Sequence, residues 1–381
     1  MKVSFNEIYY TGKEIEYIKD CLERGHLSGD GEYTHLVSSF LEEKLKVKKV
    51  LMITSATHAL EIAVMLLNLD RGDEVIMPSF TFPSTANAVL LQGARPVFVE
   101  VDKFTLNISP AAVEKVINEK TRAIIPVHYA GLSCNMNKIM DIASKYNLYV
   151  IEDAAQALNA KYRGKYLGSY GDMACFSFHG SKNYVSGEGG ALAINNLKEN
   201  FTERAEIIRE KGTNRSSFIR GDIDKYTWVD RGSSYLPSDL LMAFLYAQLE
   251  QIEEIRQKRK KIFHYYRLAL KSFLDNNFLE WMSQVPEEND SNYHLFYLLF
   301  KDSIIRNRVM KNLKNKGVNA TFHYIPLHLS KMGKKLGYKE GDLPITETAS
   351  RSLLRLPLYT GMNIEEMKYV VDKTLEVFGE L

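Results

Sequence analysis

Residues 149–192 read YVIEDAAQALNAKYRGKYLGSYGDMACFSFHGSKNYVSGEGGAL. Two apolar segments in this stretch, 149–153 and 173–178, have the length and composition of buried β-strands. The first ends in Asp153, and the second is followed by Lys182 in a polar, glycine-rich turn. Ligands of open α/β sheets bind beyond the carboxyl ends of the strands. We therefore predict that this carboxylate and this amine face one ligand at the edge of a sheet.

Upstream of this stretch, strand patterns alternate with helix patterns. The predicted strands are 49–53, 74–78, 96–101, 121–128 and 148–153, and the predicted helices between them are 54–67, 84–92, 109–118 and 135–146. Near-continuous apolar runs such as RAIIPV (122–127) are typical of strands that are buried on both faces. The alternation predicts the α/β class, with a mainly parallel sheet between layers of helices.

The last part of the chain has a different pattern. A charged helix at 197–211 is followed by a basic, aromatic loop at 212–239, which is too long to be an idle connection. The later predicted elements are helix 240–273, strand 293–301, helix 304–316, strand 319–324 and helices 346–354 and 364–378. We predict two domains: residues 1–245, an N-terminal segment with the large domain, and residues 246–381, a smaller α+β domain.

Composition excludes several classes of protein. The chain has 381 residues and a formal net charge of +2, which gives no reason to expect nucleic acid or an anionic membrane as partner. No apolar run approaches the length that spans a bilayer, and the N-terminus lacks the apolar core of a signal peptide. Cys21, Cys134 and Cys175 lie far apart, without disulfide or zinc spacing. These features predict a reduced cytoplasmic protein without a metal.

The candidate site residues match the needs of pyridoxal phosphate (PLP), which requires a lysine, an acid, an aromatic plane and a phosphate cradle. Lys182 is the candidate for the Schiff base. Asp153 is the candidate partner of the pyridine nitrogen, in preference to Glu152, which strand alternation points to the other face. The candidates for the aromatic plane are Phe80 and Phe82, and those for the cradle are Ser55, Ala56 and Thr57 at a helix start, with Ser177.

Each candidate also has an ordinary structural interpretation. Ser55 or Thr57 serves equally well as a helix cap, and a lone lysine is usually a solvated surface residue. His128 and His179 are interpreted more simply as packing or supporting histidines than as catalytic bases. Taken jointly, and in this order along an alternating sheet, the candidates favour the cofactor.

Several longer motifs carry a resemblance to a known family. They are TSATHALE (54–61), GDEVIMPSFTFPSTANAV (72–89), IIPVHYAG (124–131), VIEDAAQA (150–157), FSFHGSKNYVSGEGGA (176–191) and HYIPLH (323–328). Over essentially its whole length the chain resembles the DegT-type sugar-nucleotide aminotransferases, which have PLP fold type I. The resemblance implies a homodimer in which each active site lies at the subunit interface.

The resemblance also implies roles for individual residues. Lys182 would carry the cofactor, and Asp153 would contact its ring nitrogen. Gln156 would lie on the side of the ring hydroxyl, with Phe82, rather than the phenylalanine two residues earlier, stacked on the ring. Ser234 stands where the common family pattern has an asparagine that contacts the phosphate in the partner subunit. The implied phosphate contacts within the chain are Ser55, Ala56, Thr57 and Ser177.

Segments 205–240 and 354–359 resemble the branch of the family that makes a 4-amino sugar. The resemblance predicts amino transfer from L-glutamate to a 4-keto-6-deoxy sugar on dTDP, giving dTDP-4-amino-4,6-dideoxygalactose from dTDP-4-keto-6-deoxyglucose. Cations of the long loop are candidates for holding the diphosphate, and histidines for lining the sugar. The candidate substrate-binding residues are His179, Lys211, Arg215, Arg220, Lys225, His323 and His328.

Other functions stay open at this point. Amination at C3, or a product of opposite stereochemistry, would use the same residues. Deoxysugar dehydratases of the same fold have a histidine at the position of the lysine. The presence of Lys182 therefore argues against that function. A non-catalytic ligand-binding or regulatory protein on the same scaffold is a different class, which loss of Lys182 or Asp153 would have favoured.

Overall fold

A computed structural model describes residues 1–196, 200–275 and 278–381. Within them the helices are α1 (Glu14–Arg24), α2 (Glu32–Leu45), α3 (Ala56–Leu66), α4 (Pro83–Leu90), α5 (Pro110–Val116), α6 (Met136–Tyr146), α7 (Phe201–Arg209), α8 (Arg215–Arg220), α9 (Asp239–Glu250), α10 (Ile252–Leu270), α11 (Ser303–Asn315), α12 (Lys331–Lys335), α13 (Pro344–Ser352) and α14 (Ile364–Gly379). None of these helices combines the length and the apolar character needed to cross a membrane.

The strands form three sheets in the described part of the chain. They are β1 (Lys49–Ile53), β2 (Glu74–Pro78), β3 (Arg95–Val99), β4 (Thr121–Ile124), β5 (Tyr149–Asp153), β6 (Lys161–Tyr162), β7 (Lys165–Tyr166), β8 (Met173–Ser177), β9 (Gly190–Ile194), β10 (Leu279–Met282), β11 (Asn289–Asp290), β12 (Phe296–Phe300) and β13 (Leu353–Leu356). The main sheet has the order β1-β9-β8-β5-β4-β2-β3. Only β9 runs antiparallel to its neighbours there, so the predicted mainly parallel sheet is confirmed.

Helices cover both faces of the main sheet because its strands are apolar at nearly every position. In β1, Val50 and Met52 join one core, which contains side chains from α2, α6 and α9. Leu51 and Ile53 join the opposite core, which contains side chains from α3, α4 and α7. Successive strand residues point to opposite faces, so one short strand supplies both layers. The three-layer α/β architecture expected from the sequence is confirmed.

A smaller α+β unit follows in the C-terminal part of the chain. Its sheet has the order β10-β12-β13, with antiparallel pairing throughout. Phe263 of α10, Val309 of α11 and Val370 of α14 pack on this sheet in one buried core. The α+β character of this region agrees with its sequence pattern.

The structure corrects several predicted elements. Residues 319–324 do not form a strand, because only Thr321 bridges to Arg355 of β13. The predicted helix 240–273 is two helices that meet at Gln251, whose backbone (φ −107°, ψ 23°) leaves the helical region. The loop at 212–239 contains the short helix α8. Of the helix predicted at 197–211, residues 197–199 lie outside the described part, and α7 covers 201–209.

Candidate active site

Four neighbouring strands bring the candidate residues to one edge of the main sheet. β1 and β8 run parallel to each other on either side of β9, so both end where β9 begins at Gly190. The register pairs Gly190 with Ile53 on one side and with Ser177 on the other. β5 is the next strand and ends at Asp153, which lies opposite Cys175. The fold therefore aligns the residues that the sequence placed at strand ends.

Asp153 is buried and held in one orientation by two donors. The Thr85 hydroxyl, in the first turn of α4, donates to its Oδ2 (2.8 Å), and the Ala155 amide donates to its Oδ1 (3.2 Å). Burial raises the pKa of Asp153 above its ordinary value, although both donors and the nearby Lys182 ammonium act against that rise. A nearby opposite charge favours the ionised form of a buried carboxylate, so Asp153 is suited to accept from a cationic N–H group of a ligand.

Glu152, the neighbouring acid, points into the opposite layer, as alternation predicts. The backbone amides of Gly168, Tyr170 and Gly171 donate to its two carboxylate oxygens at 2.7–2.8 Å. His128 Nε2 lies 2.9 Å from Glu152, and the proton is on Nε2 because Nδ1 accepts from a backbone amide. Burial alone would raise the pKa of Glu152, but these donors hold it below its ordinary value. Glu152 and His128 are thus a buried structural pair.

Lys182 lies in a turn that closes on itself and is anchored to the C-terminal unit. Its amide donates to the His179 carbonyl (2.9 Å), and the adjacent Asn183 donates to the Asn292 carbonyl (2.9 Å). Asn183 also lies 2.8 Å from Nδ1 of the buried His294. Burial lowers the pKa of the Lys182 amine to about 8, against the opposing pull of Asp153. The neutral, nucleophilic form of this amine is therefore far more populated near physiological pH than that of an ordinary lysine, although the ammonium form still predominates.

We expect the Lys182 amine to react with an aldehyde at a half-maximal rate near pH 8, because only the neutral amine attacks. An ordinary lysine titrates about two pH units higher. The measurement is the rate of PLP uptake by cofactor-free protein as a function of pH. Asp153→Asn should move the midpoint to lower pH, because the carboxylate favours the ammonium form. A wild-type midpoint near pH 10 would contradict this prediction.

A helix start and two strand ends form the candidate phosphate cradle. Ser55 caps α3 by accepting from the His58 amide (3.1 Å). Because Ser55 follows the end of β1 closely, the N-terminus of α3 lies at the edge of the main sheet. The Thr57 hydroxyl is 2.7 Å from the Ser84 hydroxyl. A Cβ on Gly190 would lie 2.3 Å from the Ser55 carbonyl carbon and 2.4 Å from the Ala56 nitrogen. The backbone of β9 therefore approaches the helix start so closely that only glycine fits.

Replacing Gly190 by alanine is expected to lower the free energy of unfolding by about 1–3 kcal/mol, because the new methyl group meets backbone atoms that cannot rotate away. Chemical denaturation of the cofactor-free protein measures this loss. Gly180→Ala, in the connection between β8 and β9, is the matched control, since its Cβ would come no closer than 3.7 Å to a neighbour. Equal stability of the two variants would show that the backbone around Gly190 can move enough to accommodate the methyl group.

The two candidate phenylalanines differ sharply in their surroundings. Phe80 is fully buried, with its ring edge-on to Tyr129 (5.2 Å) and Tyr324 (5.5 Å). Phe82 precedes α4 and is 59% exposed, so its ring is free to cover a ligand. The Gln156 side chain accepts from a backbone amide (2.7 Å) and donates to the Tyr324 hydroxyl (3.1 Å). An aromatic wall and an oriented amide thus border the strand edge.

These residues fit the chemistry of PLP. The Lys182 amine, whose pKa is lowered, interacts electrostatically with the buried Asp153 carboxylate. Beside them lies a helix start that the Gly190 backbone approaches without room for a side chain. Helix N-termini bind phosphate through their free amides and their dipole. Each group that the cofactor needs is therefore present at one sheet edge.

Comparison with known proteins gives the family. Residues 9–375 match the DegT/DnrJ/EryC1/StrS aminotransferase family. The chain belongs to this family. It is 29% identical over 374 residues to GDP-perosamine synthase of Escherichia coli O157:H7, spanning 97% of each chain.

Solved structures agree with this assignment. PseC of Helicobacter pylori, an aminotransferase involved in pseudoaminic acid biosynthesis, matches with a TM-score of 0.90 at 25% identity over 100% of both chains. A candidate sugar aminotransferase of Streptococcus pneumoniae, Spr1654 in its PLP form, matches with a TM-score of 0.90 at 25% identity, over 100% of this chain and 99% of that one. The predicted PLP fold type I, the cofactor and the aminotransferase activity are confirmed, and the chain is a sugar aminotransferase of the DegT family.

Three predicted diphosphate contacts of this aminotransferase already pair with acids in the single chain. Lys211 Nζ is 2.8 Å and Arg215 Nη1 is 3.9 Å from Glu210. Arg220 Nη1 is 2.7 Å from Glu206. A diphosphate would have to compete with these carboxylates, so the role of the three cations stays a prediction.

Lys225, His179 and Ser234 are exposed residues of the chain. Nδ1 of His179 is 2.9 Å from the Ser181 hydroxyl. Ser234 forms a bridge with Glu210 that holds the end of the long loop along the residues after α7. Their predicted roles toward substrate or the partner's phosphate stay predictions.

The structure separates the two histidines that were predicted at the sugar end. His323 stacks on Tyr324 (3.5 Å between ring centroids), and its Nδ1 is 3.0 Å from the Tyr129 hydroxyl, so it joins the aromatic wall. His328 instead is fully buried. Its Nδ1 is 2.7 Å from the Ser79 hydroxyl and its Nε2 is 3.1 Å from a carboxylate. Both nitrogens are engaged and the ring is sealed from solvent, so His328 does not line an open sugar site, and that prediction is corrected.

Sequence reasoning missed several residues that shape the site. Thr85 orients Asp153, although it looks like an ordinary helix residue in the sequence. Asn183 anchors the turn of Lys182, and its position next to that lysine in the sequence could have suggested a role at the site. The others come from the distant C-terminal unit, where no spacing points to Lys182, and they are His294, Tyr324 and Arg355.

Proposed function

We propose that Lys182 and Asp153 are the catalytic pair of a transaminase that uses L-glutamate as amino donor and a keto-sugar nucleotide as acceptor. PLP, when bound, supplies an electron sink for the bond that breaks at the reacting carbon. Asp153 would hold a proton on the ring nitrogen of the cofactor. The observation that carries the proposal is the interaction of a buried carboxylate with a lysine amine whose pKa is lowered, at the end of the strands.

Lys182 would move protons in both halves of the reaction. Its amine accepts the proton from the α-carbon of glutamate and later delivers a proton to the sugar carbon. One amine on one side of the site acts on one face of each substrate, which gives a single stereochemical product. Ser55, Ala56, Thr57 and Ser177 would hold the phosphate, with Phe82 over the ring and Gln156 beside its hydroxyl.

For the acceptor we propose dTDP-4-keto-6-deoxyglucose, which gives dTDP-4-amino-4,6-dideoxygalactose for cell-surface polysaccharide synthesis. The resemblance of segments 205–240 and 354–359 supports this choice. Lys211, Arg215, Arg220 and Lys225 remain the proposed diphosphate contacts. Two of the relatives are GDP-perosamine synthases. An assay of acceptors should therefore include a GDP-linked sugar for comparison.

We also propose a homodimer with shared active sites. The long loop exposes Tyr226, Trp228 and Val229, and the Trp228 side chain is 77% exposed. Apolar side chains grouped on one surface loop are typical of a surface that a partner covers. A second copy of the chain would cover them and bring Ser234 toward the partner's phosphate.

We further propose a cytoplasmic location and the division of the chain into two domains, residues 1–245 and 246–381.

The proposal is tested by incubating the PLP-loaded protein with L-glutamate and a panel of 4-keto and 3-keto sugars on dTDP, UDP and GDP. We expect the visible absorbance to bleach with glutamate and the dTDP-4-keto sugar to be aminated at C4, with the configuration read by NMR. Amination of a 3-keto sugar at C3 would replace the proposed acceptor, and an equatorial amine at C4 would replace the proposed product. A protein that stays colourless with added PLP would instead support a non-catalytic ligand-binding role.

A further inference from the structure

Asn292, between β11 and β12, contacts two segments of the large unit that carry candidate site residues. It is buried, and its Nδ2 donates to the carbonyls of Gln156 (2.8 Å) and Leu158 (2.9 Å). Its own carbonyl accepts from Asn183 Nδ2 (2.9 Å). One residue of the C-terminal part of the chain therefore joins the turn of Lys182 to the segment of Gln156.

The segment that contains Asn292 is itself fixed to α10. Arg256 Nε donates to the Ser291 carbonyl (3.0 Å), and Arg259 Nη2 donates to the His294 carbonyl (2.7 Å). Both arginines are buried. These bonds hold the backbone on either side of Asn292, so its contacts with the large unit start from a fixed position.

A second hydrogen bond ties the lysine turn to the same segment. Asn183 Oδ1 lies 2.8 Å from His294 Nδ1. Because Asn183 Nδ2 donates to a carbonyl, its Oδ1 is the atom that accepts from the ring. Burial and the neighbouring cations hold the pKa of His294 far below its ordinary value, so the ring donates in its neutral form. Asn183 therefore uses both ends of its amide on residues 292 and 294.

The Asn292 side chain is held at this place at a cost. Its Oδ1 is buried without a hydrogen-bond partner in the described part of the chain, and a Cβ on Gly131 would collide with it. An unsatisfied buried oxygen lowers stability. An apolar side chain of similar shape would remove that cost, but the carbonyls of Gln156 and Leu158 would then lose their donor. The two N–H groups are thus the reason that an asparagine fits here.

We propose that Asn292 and Asn183 position Lys182 relative to Asp153 and Gln156, and this inference rests on the proposed function of Lys182 in proton transfer. The lysine and the carboxylate lie on different segments, and Asn292 bonds to the neighbourhood of both. A base must lie within reach of the proton that it removes, and a displacement of about 1 Å can slow catalysis about 100-fold. Both asparagines act through the backbone around the lysine turn, so they are positioning residues and not catalytic ones.

The test compares Asn292→Ala and Asn183→Ala with wild type, first as cofactor-free protein. The measured quantity is the pH midpoint of PLP uptake, which we expect near pH 8 in wild type. Burial lowers the pKa of the Lys182 amine, so a turn released toward solvent should raise the midpoint by about one pH unit. Both variants retain the charged and titratable groups that act on this amine, which are Asp153, Arg355, His294 and His323.

The PLP-loaded variants should be slower with L-glutamate by about 10- to 100-fold in single-turnover kinetics, with KM little changed. Glutamate deuterated at the α-carbon should show a larger isotope effect than with wild type, because proton transfer becomes the slow step. Asn107→Ala is the matched control, since Asn107 is also buried and its Nδ2 also donates to two carbonyls. It should lose stability but keep the wild-type midpoint and isotope effect.

A wild-type midpoint and isotope effect in Asn292→Ala and Asn183→Ala overturn the inference, as do equal changes in Asn107→Ala. If Asn292→Ala does not fold, Asn183→Ala decides, since it frees the lysine turn and leaves the other bonds of Asn292 in place. Failure of both to fold would assign the two asparagines to folding alone and would also overturn it. The midpoint does not depend on the sugar. If wild type aminates no dTDP sugar but the midpoint shifts, the proposed acceptor fails and the positioning role stands.

Discussion

Replacing Lys182 by alanine is expected to lower kcat by about 10⁴-fold or more, to the limit of detection. The variant loses the amine that binds the cofactor and the group that moves protons in both half-reactions. The two histidines whose charges interact with Lys182, His294 and His323, are poor replacement bases, because burial and the neighbouring cations hold their pKa far below the ordinary value. The fold should tolerate the change, since the turn is held by the Lys182 amide and by Asn183.

Single-turnover kinetics with L-glutamate and with the keto sugar measure the loss in each half-reaction. Lys138→Ala, at an exposed position of α6, is the control and should keep wild-type activity. A small primary amine in the buffer should restore part of the activity to Lys182→Ala by acting as a mobile base. Ordinary turnover by the variant without added amine would remove Lys182 from the mechanism.

Residues at the ends of strands were predictable because the sheet edge collects them. Lys182, Asp153, Ser55 and Ser177 each follow an apolar run, and the order of strands along the chain is enough to place them together. The same logic separated Asp153 from Glu152, since alternation along one strand decides which layer each acid enters. Local pattern and sheet topology agree at these positions.

Residues that reach the site from the C-terminal unit were not predictable in this way. Arg355 is one position of a short apolar strand, and only the packing of the smaller sheet against the large unit brings it near Lys182. His328 shows the opposite error, because its histidine-rich motif suggested a ligand contact whereas tertiary packing seals it against Ser79. Side-chain direction in irregular segments carries no periodic signal that a sequence could reveal.

The errors in secondary structure have the same origin. The break at Gln251 has no glycine or proline to announce it, so the apolar and charged pattern of the two helices runs on without interruption. Residues 319–324 have strand-like composition but contribute a single bridge, at Thr321, and the rings of His323 and Tyr324 pack against Tyr129 instead. In both places the requirements of packing override local propensity.

Replacing Asp153 by asparagine is expected to lower kcat by about 10³-fold while leaving the fold intact. The amide has the shape of the carboxylate and can keep the contact with Thr85, but it carries no charge that would hold a proton on the cofactor's ring nitrogen. The ring then accepts electrons poorly in both half-reactions. Steady-state kinetics and thermal unfolding together measure the two parts of this prediction.

The neighbouring Glu152→Gln is the control, and its expected result is the reverse. Glu152 receives four donors in a buried layer, so an amide N–H₂ would face another donor there. We expect the free energy of unfolding to fall by about 3 kcal/mol, with activity of the folded fraction retained. A stable but slow Asp153→Asn beside an unstable but active Glu152→Gln would assign chemistry to one acid and folding to the other. Near-wild-type activity of Asp153→Asn would move the ring-nitrogen role to a different acid.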